Sequence, residues 1–166
     1  MEENCSFNIT SIGVIETPYY GKAPYQPVED EDEEFCIVLD EKYTDGLREL
    51  EKFKYIYVLY YAHLISRELR MVISPPWTVA GKVGIFASRS PVRPNPIGLS
   101  VVKIREIIDN RIYTSGLDVF DGTPVLDIKP YIKDLDSKND ANSGWIDELD
   151  DSEHLALHIK GIPHDY

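Results

Sequence analysis

Residues 84–100, GIFASRSPVRPNPIGLS, set three prolines (Pro91, Pro94, Pro96) within six residues, with Arg89 and Arg93 among them. Each proline ring fixes its own φ and pushes the preceding residue toward extended backbone. Helix is therefore excluded here, and so is a regular central strand. A loop this stiff loses little entropy on folding or binding, so it can hold side chains still for a ligand. Its charge points the same way. Between Leu69 and Arg105 no residue is acidic, whereas Arg70, Lys82, Arg89, Arg93, Lys103 and Arg105 are basic, in a chain of net charge -12. A rigid basic loop suits an anion. The bland alternative is a proline-rich connector with solvated arginines.

At 166 residues, 43% hydrophobic and 28% charged, the chain has the size and composition of one globular domain, here taken as residues 1–166. No apolar run approaches a membrane span, and the polar start MEENCSFN is not a secretory signal. The Asn8-Ile9-Thr10 sequon then has no secretory context, and Cys5 and Cys36 are too few for a disulfide framework or metal knuckle. The expected setting is the cytoplasm. The acidic balance argues against a general nucleic-acid binder, so any RNA contact falls to the basic segment.

In chain order, the pattern predicts a first strand over residues 7–19, with Phe7, Ile9, Ile12, Val14 and Ile15 on its apolar side. Residues 29–34 (EDEDEE) read as a solvated, self-repelling loop rather than a cation site. A short strand is expected at 35–39 and a helix at 43–52, capped by Asp45. Residues 54–64 (KYIYVLYYAHL) are apolar on both alternating faces, as in a central strand covered on each side. Further strands are expected at 69–74, 100–108, 111–119 and 125–132, the middle pair joined by an Asp109-Asn110 turn, and a last one at 154–159. Many strands and one helix predict a mainly β fold: an antiparallel sheet curled into a barrel-like domain with one or two short helices.

Taken singly, the polar residues leave alternatives open. Arg89 and Arg93 can serve one pocket or two, or clamp their own loop's carbonyls. Asn95, between two prolines, can read adenine through paired amide contacts or merely cap a turn. Asp121-Gly122-Thr123 has the spacing of a hairpin turn, and Asp127 and Lys129 that of a simple ion pair. His154 and His158 lack an HExxH arrangement, so no metal site is expected.

Two long blocks carry more information: GIFASRS-x-x-RPNPIGLS over residues 84–100 and DVFDGTPVLDIKPY over residues 118–131. Together with weaker matches at residues 12–20 and 24–27, they resemble the TrmO/TsaA-like family of tRNA methyltransferases, in its compact single-domain form. The resemblance implies a barrel-like methyltransferase that uses S-adenosyl-L-methionine and acts as a homodimer on tRNA. It implies cofactor contacts at Pro24, Tyr25, Gln26, His63, Leu64, Arg89, Leu99, Phe120, Asp121, Gly122 and Thr123. Arg89 would meet the cofactor's carboxylate and Phe120 its adenine. Tyr25 stands where bacterial relatives carry Arg, and Leu64 where a polar residue is usual, so only backbone contact is expected at Leu64. Arg93, Asn95, Asp118 and Tyr131 are the expected catalytic set, with the proton acceptor among Asp118, Asp121 and Tyr131. The implied acceptor is the exocyclic nitrogen of threonylcarbamoyl-adenosine beside the anticodon. The contrasting readings are a module that binds the cofactor without transferring methyl, and a transferase for another RNA or a small molecule.

Overall fold

The computed structural model describes residues 5–24, 27, 34–75 and 81–149. Tyr25, Gln26, most of the acidic run 29–34 and the expected strand at 154–159, with His154 and His158, lie outside them. Six strands close an antiparallel barrel: β1 (Gly13–Glu16), β2 (Phe35–Leu39), β3 (Tyr55–Tyr61), β6 (Ile97–Ile108), β7 (Arg111–Thr114) and β8 (Thr123–Pro130). Their order around the barrel is β1-β2-β7-β6-β3-β8, with β8 returning to β1. A separate ribbon joins β4 (Val72–Ile73) to β5 (Val83–Gly84). The only α-helix among the described residues is the single turn α1 (Lys133–Asp136).

Inward residues from every barrel strand make the core, including Ile15, Phe35, Ile37, Ile56, Val58, Val102, Ile112 and Val125. Two bulges help so few strands curl. One falls between Ile104 and Glu106 on β6. The other lies at Leu126 on β8, where Tyr60 pairs with Val125 but Leu59 with Asp127. That extra residue shifts the phase of β8. Val125 and Ile128 both pack inward, whereas simple alternation had put Leu126 and Ile128 together.

Several expectations need correction. The first strand is only Gly13–Glu16; Phe7 and Ile9 are exposed, and among the described residues no strand pairs with them. The expected helix at 43–52 is instead two 3-10 segments, Glu41–Leu47 and Leu50–Lys52, with Asp40 rather than Asp45 at the first N-cap. Leu47 still turns into the core. β3 is central, but one face only is sealed: Ile56 and Val58 are buried while Tyr55 and Tyr61 stay exposed on the outside. The strand at 69–74 shrinks to Val72–Ile73, and β7 stops at Thr114. The proline loop also ends sooner than its prolines suggest, because Ile97 already pairs with Tyr61 and starts β6. Pro96 lacks a donor, yet its carbonyl accepts the Ala62 N–H at 2.8 Å, so it can stand at the mouth of a central strand. Ahead of the prolines, Ile85–Ala87 form a 3-10 turn.

Gly13 is where β1 and β2 come closest, since a Cβ there would lie 2.2 Å from the Val38 carbonyl oxygen. Gly13→Ala is expected to cost about 2–3 kcal/mol in urea unfolding, as overpacking against backbone does. Gly84→Ala, with open space around the added atom, should stay within about 0.5 kcal/mol.

Candidate functional site

The arginine loop is held from within by a relay of short bonds. Ser88 Oγ donates to the Ile85 carbonyl at 3.0 Å and accepts the Ser90 N–H at 3.3 Å, and Ser90 Oγ accepts the Val92 N–H at 3.3 Å. The Arg93 Nη1 donates to the carbonyls of Ser88 at 3.2 Å and Ser90 at 3.4 Å. This is the loop-clamping alternative, and it uses only part of the guanidinium. The loop is tied to the end of β3 by Pro96 on Ala62, to the ribbon by the Ile85 N–H on the Met71 carbonyl, and to the segment after the barrel by the Trp145 indole N–H on the Ala87 carbonyl at 2.8 Å. The Ala62 bond also brings His63 and Leu64, both exposed, beside the loop. Asn95 is exposed at its turn, with its carbonyl taken by the Ile97 N–H.

The second block is bolted to the end of β1. The Asp121 carboxylate accepts the Thr17 N–H at 3.1 Å, the Asp121 N–H reaches the Tyr19 carbonyl, and the Gly122 N–H reaches the Ile15 carbonyl. Gly122 adopts φ 75°, so glycine is needed for the turn itself, not for want of space. Thr123 Oγ1 closes the turn on the Phe120 carbonyl at 2.6 Å. The turn leads into β8 after crossing to β1, rather than joining two paired strands.

Asp118 lies between these blocks, flanked by the buried Leu117 and Val119, and its Oδ1 is buried without a hydrogen-bond partner. Burial raises its carboxyl from the usual 3.8 to about 6, with the Arg89 guanidinium partly opposing the rise. Burial likewise lifts the Tyr60 hydroxyl to about 12, helped by the Asp118 charge and opposed by Ser100 and Arg89. Ser100 Oγ donates to that hydroxyl at 3.4 Å, and the Tyr60 ring occupies the space over Gly98, where a Cβ would lie 2.1 Å away. The barrel end thus gathers Arg89, Asp118, Tyr60 and Ser100.

Other expected site residues stand elsewhere. Tyr131 is on the outer wall against Tyr55 and Tyr57, ring centroids 6.4 and 5.5 Å away. That is the opposite end of β3 from Tyr60, about 17 Å along the strand by its rise per residue. Leu99 also faces outward, and Asp127 is engaged by Lys129 at 2.7 Å, the simple ion pair. Pro24 is half-buried, and Tyr25 and Gln26 after it lie outside the described residues. Sequence reasoning missed Tyr60, Ser100 and Trp145. The signal for Tyr60 was present: it is the lone hydroxyl on the inward phase of β3, after Ile56 and Val58.

None of the ion pairs among the described residues uses Arg70, Lys82, Arg89, Arg93 or Lys103, so the basic segment keeps its charge for something else. Among the described residues no three His, Cys, Asp or Glu side chains gather as a metal site, and no helix is long and apolar enough to cross a membrane. The open groove on the far side of Asp121, about 410 Å³, is lined by Glu16, Glu34 and Asp121 and is a poor seat for phosphate.

A closed antiparallel barrel carrying a clamped arginine loop over a buried carboxylate defines the class. The chain belongs to the tRNA-methyltransferase O N-terminal domain family, whose model matches residues 14–137. It is 38% identical over 150 residues to a probable S-adenosyl-L-methionine-binding protein of Archaeoglobus fulgidus, covering 89% of this chain and 40% of that one. It is 37% identical over 150 residues to the tRNA (adenine(37)-N6)-methyltransferase of Escherichia coli, covering 84% of this chain and 64% of the other. The crystal structure of TrmO from Pseudomonas aeruginosa superposes with a TM-score of 0.69 at 31% identity, over 84% of this chain and 62% of that one. The chain therefore spans less than two thirds of each of these three proteins.

The raised Asp118 carboxyl has a thermodynamic consequence. Its folded-state value lies above the unfolded one, so its contribution is favourable below pH 3.8 and is lost as pH rises toward about 6. Asp118→Asn should accordingly be more stable than wild type at pH 7 by up to about 3 kcal/mol relative to the difference at pH 3.5. Urea unfolding at both pH values checks this; a pH-independent gap would mean that Asp118 is not strained by ionisation.

Proposed function

We propose that this chain is an S-adenosyl-L-methionine-dependent tRNA methyltransferase of the cytoplasm, acting on adenosine 37 and specifically on the exocyclic nitrogen of threonylcarbamoyl-adenosine. The observation that carries the reading is the pairing of an arginine free of ion pairs with a buried carboxylate whose Oδ1 has no partner. Those two groups fit a zwitterionic cofactor and an N–H acceptor: Arg89 offers a fork to a carboxylate, and Asp118 offers an oxygen to a donor. S-Adenosylmethionine, when bound, supplies a methyl that its sulfonium already activates toward in-line attack, and no metal is needed.

The chain's own residues then position groups and handle a proton. The Phe120–Thr123 turn, fixed by Asp121 and Gly122, forms one wall of the cofactor site, and the backbone at His63 and Leu64 another. The acceptor nitrogen is urea-like and weakly nucleophilic, so it must lose its proton as the new N–C bond forms. Asp118, ionised at neutral pH but close to its pKa, takes that proton. Asn95 reads the adenine edge. The uncommitted donors of Arg93 hold the threonyl carboxylate. Tyr131 and Leu99 take part only through the outer wall.

That wall supports a homodimer. Ile97, Leu99 and Val101 face outward beside Leu59 and Tyr61, an exposed strip without a charge in a chain of net charge -12. An uncharged apolar strip of this kind fits a second copy of the same strip. Leu99→Asp is expected to turn a dimer into a monomer in light scattering. A monomeric wild type would remove the proposal.

The decisive experiment incubates the protein, S-adenosylmethionine and a chelator with tRNA from a strain lacking a homologue, then analyses nucleosides by mass spectrometry. Threonylcarbamoyl-adenosine should gain one methyl, unmodified adenosine none, and the yield should fall as salt rises. Arg89→Ala should weaken cofactor binding by about 2 kcal/mol in titration calorimetry. The naming of the Archaeoglobus relative for cofactor binding alone favours a second reading, a binding module. Cofactor binding with no methylated nucleoside would decide for it.

A further inference from the structure

We propose that Trp145 is a positioning residue for Arg89, acting from beyond the segment that the family model matches. The inference rests on the reading that Arg89 holds the cofactor's carboxylate. The family model ends at residue 137, and Trp145 lies beyond it in an otherwise polar stretch. Its indole nevertheless reaches back 58 residues to the Ala87 carbonyl, two positions before Arg89.

The loop's internal bonds, from Ser88, Ser90 and Arg93, stiffen it but do not say where it sits. Placement of the loop against its surroundings falls to the external bonds. Those at Ile85 and Pro96 anchor the two ends, and the Trp145 bond is the external tie closest to Arg89. The indole N–H can only donate, and a backbone carbonyl can only accept, so the bond has one geometry.

The strap is itself built. Gly144 turns the chain with φ 62°, the 3-10 segment Gly144–Glu148 follows, and the Asp147 carboxylate accepts the Ser143 N–H at 2.9 Å. Ala87 is exposed, so the bond stands at the surface where loop placement rather than core packing is at stake. Removing it should leave the barrel intact and loosen the loop.

Trp145→Phe keeps the ring's bulk and removes the donor. Amide hydrogen exchange should then quicken at residues 87–90 and stay unchanged in the barrel strands. Cofactor affinity should fall about five- to tenfold, the range for one neutral hydrogen bond, with turnover at saturating cofactor unchanged. In an Arg89→Ala background the same substitution should cost nothing further, because the side chain it positions is gone. Unchanged loop exchange, or an equal loss in both backgrounds, overturns the proposal. A wild-type chain that binds no S-adenosylmethionine would instead sink the cofactor reading, and the exchange measurement would still decide whether Trp145 places the loop.

Discussion

Closure of the sheet between β1 and β8 is the constraint on which the rest of the molecule depends. β1 has only four residues, so its pairing with β8 could not hold an edge by length alone. It is completed by the bonds from Asp121, Gly122 and Thr17 that lock the second block onto the end of β1. Once closed, the sheet has no exposed edge and one continuous core. Closure also decides which end of the barrel receives the loops. The arginine loop enters β6 and the Asp118 segment precedes β8, and β3 lies between those two strands, so both loops meet over the inward end of β3.

That meeting buries polar groups at a cost. The Asp118 carboxyl, its Oδ1 shut off from water without a partner, loses hydration, and its pKa rises for that reason, its own backbone N–H holding part of the charge. Arg89 recovers part of it without forming an ion pair. The arrangement is less stable than an apolar filling would be, but it keeps an oxygen available to a donor from outside. Gly98 belongs to the same economy of space, because its missing side chain is what lets Tyr60 lie across β6.

The outside of the same strands follows other rules. Tyr55, Tyr57 and Tyr131 stack on the wall, and Leu99 and Val101 continue it as an apolar strip. The sequence block containing Leu99 therefore serves two faces at once, since alternate residues of a strand point to opposite sides. Gly98 and Ser100 face the polar end, whereas Ile97, Leu99 and Val101 face out. A motif written as one string is divided between two surfaces by the pleat.

The sequence by itself determined the barrel class, the positions of β2, β3 and most of β6, and the two blocks of the candidate site. Aliphatic and aromatic runs bounded by turn residues can be read locally, and so can proline rigidity and the gap in acidic residues. Local pattern misled wherever a partner decided the outcome. Phe7 and Ile9 alternate like a strand but no described strand pairs with them, and the segment at 41–52 forms 3-10 turns that bury only Leu47 rather than a full helix. Only the tertiary structure separated Asp118 from Tyr131, equal candidates in sequence, because the bulge at Leu126 and the closure of β8 onto β1 set which side chains face in. It alone brought Trp145 to the arginine loop, since a contact across 58 residues leaves no periodic trace in a single chain.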